Sequence, residues 1–200
     1  IPIVGDVKSV LREFTKEIEA CPCDEWLKKV QAAKKEAPLR GEPRTDFVEP
    51  RAFMRDLSAM MEDDAILTAD VGQNQIWAAN NFNTKEGRFL TSGGMGTMGY
   101  ALPAAIGAKL AKPKRQVVAV CGDGSFQMSM CELATANQNQ VPLKLVVMRN
   151  KFLGMVKELQ DNLYQGRHVA TPLNGDPDIV KLVQAYGIKA VFAQNNEDAK

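Results

Sequence analysis

Residues 117–152 read VVAVCGDGSFQMSMCELATANQNQVPLKLVVMRNKF, and this stretch decides the fold. It contains two apolar runs, each followed by a polar turn, with a helical segment between them. The first turn carries Asp123 and the second carries Asn150. Ligands of parallel α/β sheets collect beyond the carboxyl ends of the strands, so we expect both side chains at one edge of the sheet. A carboxylate and an amide oxygen there suit Mg²⁺, which takes its other oxygens from phosphates and water.

Glycines on both sides of the carboxylate indicate that this turn approaches a phosphate group. Gly122 and Gly124 let the backbone come close to a ligand. Ser125 can begin the following helix, whose first N–H groups favour anions. An isolated Gly-Asp-Gly is usually only a turn, but the second strand ending in Asn150 favours a binding site.

The composition is typical of a globular protein and excludes some classes of partner. Of the 200 residues, 45% are apolar and 24% are charged, which is ordinary for a chain with a full core. The 25 basic and 24 acidic residues give a formal charge of +1, which argues against nucleic acid as the main partner. We expect no membrane partner, because the apolar runs are short and the first residues, IPIVGDVK, lack the pattern of a signal peptide.

The four cysteines indicate a reducing compartment. Cys21 and Cys23 are too closely spaced for a usual zinc knuckle. Cys121 falls in an apolar strand, where a buried thiol is expected. We therefore expect a cytoplasmic protein.

The chain divides into three predicted segments. Residues 1–37 contain a short apolar strand and two amphipathic helices beginning at Asp6 and Asp24, and we interpret them as the end of a preceding middle domain and its helical linker. Residues 38–48 contain two prolines and a glycine and form a connector. Residues 49–200 form the main domain, whose last residues resemble a helix cut short.

The main domain alternates helices and strands, which predicts an α/β fold. Such alternation is typical of a parallel sheet with helices on both faces. The expected strands comprise residues 65–69, 88–91, 117–121, 143–148 and 190–193. One expected helix begins at Pro50 and another after Gly72, and three more comprise residues 101–111, 128–139 and 176–186.

The glycine-rich stretch at residues 94–99 admits two interpretations. Its sequence, GMGTMG, fits the G-x-G-x-x-G pattern of dinucleotide binding, and Asp123 follows at the end of the next strand. That fingerprint belongs to the first strand and helix of a dinucleotide fold, and its acid would stand without flanking glycines. In the other interpretation, the glycines only allow tight packing against the apolar helix at residues 101–111.

A further glycine turn, VGQNQ at residues 71–75, follows another predicted strand. Its amides either hydrogen-bond phosphate oxygens or cap the next helix. The residues alone favour neither interpretation.

The two strand-end turns resemble a known motif. GDGSF at residues 122–126 and RNKFLGMV at residues 149–156 resemble the GDG and NN elements that mark thiamin-diphosphate-dependent enzymes. The segments DVGQNQIWAA, TSGGMGTMGYALPAAIGAKLA and GDPDIVKLVQAYGIKA extend the similarity to the C-terminal, diphosphate-binding domain of acetolactate synthase-like enzymes. The resemblance covers residues 49–200 and implies a thiamin-diphosphate-binding fold.

The resemblance implies roles for particular residues. Asp123 and Asn150 would ligate Mg²⁺ through their side chains, and Phe152 through its backbone carbonyl. Gly96 and Met98 would be the catalytic, cofactor-positioning residues, the first accepting from the pyrimidine amino group and the second forming a wedge between the two rings. Contacts to the cofactor would also come from Val71, Gln73, Asn74, Gly122, Gly124, Ser125, Leu153, Gly154 and Met155.

Several positions depart from the family pattern. Arg149 replaces the first Asn of the usual pair, while the metal-ligating second Asn is present. Asn74 stands where these synthases often have His, and Leu159 stands where they typically carry Trp at the substrate pocket, which leaves the substrate preference open. His168, the only histidine, follows Arg167 in a polar loop and is interpreted as a surface residue, because no acidic or thiol partner lies nearby in sequence.

The resemblance also implies an activity. The enzyme would decarboxylate a 2-keto acid such as pyruvate on thiamin diphosphate and ligate the enamine to a second 2-keto acid, as in branched-chain amino acid biosynthesis. Its activating glutamate would come from a pyrimidine-binding domain of the same or a neighbouring subunit in a homodimer or homotetramer, so we expect the isolated chain to be inactive. FAD would bind through the middle domain. Another thiamin-dependent decarboxylase, oxidase or lyase, and a non-catalytic nucleotide-binding or scaffold module, are the alternatives.

Overall fold

The structure is a computed structural model that describes residues 2–20, 22–36, 46–175 and 177–199. It divides into two compact units, Ile1–Glu42 and Pro43–Lys200. The expected connector at residues 38–48 lies mostly outside the described residues. The assignment of three segments therefore stays a prediction.

The first unit contains two helices, α1 (Val7–Glu17) and α2 (Asp24–Glu36). Helix α1 begins where expected, because the Asp6 carboxylate accepts a hydrogen bond from the Ser9 N–H group at 2.9 Å. The strand expected at the start of the chain is wrong for residues 2–4, which are exposed and belong to no strand. Apolar residues form a strand only where a neighbouring strand pairs with them.

The second unit is built on four parallel strands in the order β2-β1-β3-β4. These are β1 (Ile66–Ala69), β2 (Arg88–Thr91), β3 (Val117–Gly122) and β4 (Lys144–Met148). The two central strands, β1 and β3, are almost completely buried, as their continuous apolar sequences predict for a sheet covered on both sides. The predicted α/β fold is confirmed.

Helices cover both faces of this sheet. Side chains alternate along β3, so that Val118 and Val120 pack on one face while Val117 and Ala119 pack on the other. The helices are α3 (Pro50–Met60), α4 (Gln73–Asn81), α5 (Ala101–Ala111), α6 (Asp123–Ser129), α7 (Glu132–Gln138), α8 (Gly154–Leu163) and α9 (Ile179–Ala185). Among the described residues, none of the helices has the length and hydropathy needed to cross a membrane.

The chain leaves the two central strands toward opposite faces. Helix α4, which follows β1, contributes Ala78 to the cluster around Val118 and Val120. Helix α6, which follows β3, contributes Phe126 to the cluster around Val117 and Ala119. Since β1 and β3 are neighbours, the loops that follow them diverge and a crevice opens between them.

The single helix expected at residues 128–139 is wrong, because α6 and α7 are separated by Met130 and Cys131. At this step the N–H group of Leu133 donates to the Met130 carbonyl and the N–H group of Ala134 donates to the Cys131 carbonyl, each at 3.0 Å. Both bonds span three residues instead of four, which tightens the chain into a turn between the helices.

The strand expected at residues 190–193 is also wrong. Val191 and Phe192 are largely exposed, and the described residues offer them no paired strand. An apolar run alone does not define a strand when the ladder of hydrogen bonds is missing.

Leu67 tests how strongly the core holds the second unit. It lies in β1 and is fully buried (0% exposed), so Leu67→Ala removes packed side-chain volume and we expect a loss of about 2–5 kcal/mol in the free energy of unfolding. Leu110→Ala is the matched control, since Leu110 is 60% exposed on α5, and its effect should stay within about 0.5 kcal/mol. Urea unfolding followed by circular dichroism measures both, and equal losses would contradict the assignment of the core.

Candidate functional site

A cleft lies at the carboxyl ends of β1, β3 and β4. Its volume is about 90 Å³, which accommodates several water-sized groups at roughly 10–15 Å³ each. Every residue predicted to hold the cofactor or metal lines this cleft, with the exception of Gly96. The lining residues are Val71, Gly72, Gln73, Asn74, Trp77, Met98, Gly122, Asp123, Gly124, Ser125, Met148, Asn150, Phe152, Leu153, Gly154, Met155 and Val156.

Asp123 joins the ends of β3 and β4. It is the first residue of α6 and is 1% exposed. Its Oδ2 accepts hydrogen bonds from the N–H groups of Asn150 at 3.1 Å and Lys151 at 2.6 Å, while its Oδ1 accepts from the N–H group of Gly124 at 3.0 Å. The two turns that the sequence predicted to converge are therefore held together by one carboxylate.

Burial raises the pKa of the Asp123 carboxyl above its usual value of 3.8. The N–H groups of Lys151, Gly124 and Asn150 act in the opposite direction, because they stabilise the ionised form. Burial outweighs them, so the ionised carboxylate lacks part of the stabilisation that water would give it. A cation bound beside this carboxylate would supply that stabilisation.

Asn150 shares its amide between two neighbours. Its Oδ1 accepts from the N–H group of Phe152 at 2.9 Å, which forms a tight turn after β4. Its Nδ2 lies 3.4 Å from the Gln73 Oε1, and Gln73 in turn donates from Nε2 to the Glu158 carboxylate at 3.1 Å. An amide oxygen has two lone pairs, so the Asn150 oxygen retains acceptor capacity beyond its bond to Phe152.

Glycines allow the walls of the cleft to approach one another. A Cβ atom on Gly154 would lie 2.2 Å from the Gln73 Oε1 and 2.7 Å from the Asn150 Nδ2. A Cβ atom on Gly124 would lie 2.7 Å from a methyl carbon of Leu153. All three distances are too short for real contacts, so a side chain at either position would displace the ends of Gln73, Asn150 or Leu153 from the cleft.

The loop at residues 150–153 is also held from its other side. The N–H group of Leu153 donates to the Thr171 carbonyl, and the N–H group of Leu173 donates to the Lys151 carbonyl, each at 2.9 Å. Between these bonds, Phe152 pairs with Pro172 in an antiparallel bridge. The returning segment at residues 171–173 therefore fixes the backbone of the residues predicted to bind the metal.

Asn74 is almost fully buried at the end of β1. Its Nδ2 donates to the carbonyl oxygens of Asp70 at 2.8 Å and Val120 at 3.4 Å, which links the ends of β1 and β3. These two bonds use both of its N–H donors, and its Oδ1 lies 2.7 Å from the position of a Cβ atom on Gly72. The expected contact between Asn74 and a diphosphate stays a prediction, and its donors already have backbone partners.

The glycine-rich loop places Met98, but not Gly96, in the cleft. The Cε atom of Met98 lies 3.7 Å from the position of a Cβ atom on Gly124, so this side chain reaches over the turn that contains Asp123. Gly96 has a φ of 69° and lies outside the cleft lining. The proposed hydrogen bond at its carbonyl stays a prediction.

Four further lining residues were not among the predicted contacts. They are Gly72, Trp77, Met148 and Val156. Simple periodicity could have indicated two of them, because Trp77 lies one helical turn after Gln73 and Met148 lies on the same side of its strand as Asn150. Gly72 is part of the glycine turn at residues 71–75, and Val156 follows from the first turn of α8, a helix that the sequence did not predict.

His168 is a surface residue, as expected, but it has an acidic partner seven residues away along the chain. Its Nε2 lies 2.5 Å from the Asp161 Oδ1, and the other oxygen of Asp161 accepts from the Lys157 Nζ at 2.8 Å. The hydrogen bonds from Lys157 and His168 hold the pKa of the Asp161 carboxyl below its usual value. The partner was missed because Asp161 lies on α8, and Gln160 of the same helix fixes the returning chain by donating to the Val169 carbonyl at 3.0 Å.

Two other sequence expectations have clear outcomes. Cys121 is 1% exposed, which confirms the buried thiol, and burial raises its pKa well above the usual value. Leu159 is about half exposed on α8 and does not line the cleft.

Comparison with known families identifies the class of protein to which this fold and cleft belong. Residues 70–200 match the family described as "Thiamine pyrophosphate enzyme, C-terminal TPP binding domain". The chain therefore belongs to the thiamine pyrophosphate enzymes and carries their C-terminal cofactor-binding domain. The matched range contains every residue predicted to contact the cofactor.

Individual relatives show which members of this family the chain is similar to. The chain is 40% identical over 195 residues to the acetolactate synthase isozyme 3 large subunit of Escherichia coli K12, covering 94% of this chain and 34% of that protein. It is 41% identical over 204 residues to a probable acetolactate synthase large subunit of Methanocaldococcus jannaschii, covering 95% of this chain and 34% of that protein. The corresponding subunit of Lactococcus lactis is 39% identical over 198 residues, covering 98% and 34%. The chain thus spans about a third of the length of these relatives.

Gly154→Ala tests the close packing of the cleft. The new Cβ atom would displace the amide ends of Gln73 and Asn150 and break their hydrogen bonds in the cleft, so we expect the free energy of unfolding to fall by about 1 kcal/mol. Gly107→Ala is the control, because nothing lies within 4 Å of its Cβ position on α5, and we expect it to be neutral or stabilising by up to about 1 kcal/mol. Thermal and urea unfolding measure both variants; a neutral Gly154→Ala would contradict the packing described here.

Proposed function

We propose that this chain is the diphosphate- and magnesium-binding portion of an acetolactate synthase-like enzyme. The whole enzyme would decarboxylate pyruvate and join the remaining two-carbon unit to a second 2-keto acid. The observation that carries the proposal is the convergence of Asp123 and Asn150 at adjacent strand ends, beside a glycine-lined cleft within a thiamin-diphosphate-binding domain. The names of the relatives support the particular reaction.

The metal proposed for the cleft is Mg²⁺. It would be held by the side chains of Asp123 and Asn150 and by the carbonyl of Phe152, with phosphate and water oxygens completing six ligands. A hard cation fits this donor set, since all three donors are oxygens and one of them is a buried carboxylate. In the described part of the chain, no group of three or more His, Cys, Asp or Glu side chains could hold a metal, and the proposed site does not need one because it uses a single carboxylate.

The residues of this chain would bind and orient the cofactor. Gly124 and Gly154, where a Cβ atom would displace neighbouring side chains, would let the backbone reach the diphosphate. Met98, above Gly124, would support the rings, and the Gly96 carbonyl would accept from the pyrimidine amino group. Thiamin diphosphate itself supplies carbanion stabilisation, while the protein supplies position and electrostatics.

The proposed site needs a second protein segment. The activating glutamate would come from a pyrimidine-binding domain of the same or a neighbouring subunit in a homodimer or homotetramer. The length of the relatives, about three times that of this chain, supports additional domains. FAD binding through the middle domain, a cytoplasmic location and a role in branched-chain amino acid biosynthesis belong to the same proposal.

Titration with thiamin diphosphate, with and without Mg²⁺, tests the metal site. We expect the wild-type chain to bind more tightly with Mg²⁺, and Asp123→Asn to lose at least about tenfold in affinity, or ~1.4 kcal/mol, because an amide is a poorer metal ligand. Asp63→Asn, which changes an exposed carboxylate of the same unit, should bind as the wild type does. Binding that ignores both the metal and the Asp123 substitution would overturn the metal site and favour a dinucleotide.

Product analysis with pyruvate tests the reaction. We expect little or no turnover from the isolated chain, and acetolactate from an assembly in which the pyrimidine-binding domain is restored. Normal carboligase rates from the purified chain alone would contradict the need for a second segment. Acetaldehyde or acetate as the main product of the assembly would instead indicate a thiamin-dependent decarboxylase or oxidase.

A further inference from the structure

Asp70 is a buried carboxylate that has no role in the site described so far. It follows β1 and is 1% exposed. Its Oδ1 accepts hydrogen bonds from the N–H groups of Val71 at 2.9 Å and Gly99 at 3.0 Å, and its Oδ2 accepts from the N–H group of Ala101 at 2.8 Å. Two of its three donors therefore belong to the glycine-rich loop and the start of α5, about thirty residues further along the chain.

The glycine-rich loop is anchored at this point. Gly99 has a φ of 82°, and a Cβ atom there would lie 3.2 Å from the Cβ atom of Met128 on α6. The carbonyl of Ala101 accepts a hydrogen bond from the Thr68 hydroxyl at 2.9 Å, so the end of β1 holds both the N–H and the carbonyl group of Ala101. The loop cannot move along β1 without breaking these bonds.

The anchor determines where Met98 lies. Met98 directly precedes Gly99, and its Cε atom reaches within 3.7 Å of the Cβ position on Gly124. Gly124 in turn donates its N–H group to Asp123. Two buried carboxylates at the ends of neighbouring strands thus fix opposite sides of the cleft. Asp70 holds the glycine-rich loop, and Asp123 holds the turn at residues 150–153.

The pairing of the two strands sets the distance between these sides. Ala69 of β1 is in register with Val120 of β3, and the Asp70 N–H group donates to the Val120 carbonyl at 2.8 Å. The backbone of Asp70 is therefore part of the sheet while its carboxylate holds the loop. A change at this carboxylate would release the glycine-rich loop and leave the sheet and the turn at residues 150–153 in place.

We propose that Asp70 is a positioning residue, which fixes the distance between Met98 of the glycine-rich loop and the turn that contains Asp123. This distance would allow the site to recognise the rings of thiamin diphosphate together with its diphosphate. This inference rests on the proposed function. It assigns recognition of the rings to Asp70 acting through Gly99, and recognition of the diphosphate to the turn around Asp123.

The test compares two ligands, thiamin diphosphate and inorganic pyrophosphate, each with Mg²⁺, because only the first carries rings. Trp77 lines the cleft, and the chain has two tryptophans. In a Trp26→Phe background, Trp77 fluorescence reports binding of both ligands.

Asp70→Asn keeps the side-chain shape but replaces one accepting oxygen with a donor. We expect thiamin diphosphate binding to weaken about tenfold or more, and pyrophosphate binding to change by less than about twofold. Asp70→Glu keeps the charge but moves it by one methylene, and it should lower the ratio of thiamin diphosphate affinity to pyrophosphate affinity in the same way. This variant provides the test if Asp70→Asn does not fold. Asp63→Asn changes an exposed carboxylate outside this anchor and should leave the ratio unchanged. Equal losses for both ligands, which a purely structural role would produce, would overturn the proposal.

Failure of the proposed function has a different signature. A wild-type chain that shows no Mg²⁺-dependent binding of thiamin diphosphate would contradict the function. Amide hydrogen exchange then decides the role of Asp70: in Asp70→Asn, exchange at Gly99 and Ala101 should accelerate while exchange at Asn150 and Lys151 stays unchanged. Parallel changes at all four amides would overturn the positioning role.

Discussion

The structure of the site depends on the buried carboxylate of Asp123 and the three backbone N–H groups that donate to it. Removing a charge from water is costly unless hydrogen bonds replace the lost hydration. Here the replacement comes from its own turn and from the turn after the next strand, so stabilising the charge also brings Asn150 to the cleft. The raised pKa of Asp123 shows that the replacement is incomplete, which is suitable for a group that would also contact a cation.

The position of the cleft follows from the order of the strands. Because β1 and β3 are neighbours but lead to helices on opposite faces, their loops diverge at the centre of the sheet. The turns around Gly72 and Asp123 line the resulting crevice, and β4 adds Asn150 from the side. The same topology brings Asp70 and Asp123 to adjacent strand ends.

Much of this arrangement could be predicted from the sequence. Apolar runs and polar turns mark the strands and their ends, and binding sites of parallel sheets lie at the carboxyl ends of the strands. The apolar runs predicted all four strands of the sheet, and the polar turns at two strand ends predicted that Asp123 and Asn150 meet. The turn that contains Gln73 could not be placed beside them from its residues alone. The sequence could not predict helix α8, because its first residue is a glycine that is typical of a loop. It could not predict the contact of His168 with Asp161 either, since that contact requires the chain to turn back along the helix. The hydrogen bonds that Asp70 accepts from Gly99 and Ala101 could not be predicted either, because an Asp after a strand does not indicate which distant N–H groups will donate to it.

The returning segment at residues 171–173 connects the turn at residues 150–153 to a part of the chain that lies outside the sheet. Its link to residues 151–153 consists of the two backbone hydrogen bonds that form a single antiparallel bridge, whereas the strands are held by continuous ladders and a buried core. Native proteins open first where few bonds and little apolar burial must be lost. We therefore expect the pairing of residues 151–153 with residues 171–173 to open at lower free energy than the sheet, and binding at the cleft would be coupled to the order of the chain between α8 and Leu173.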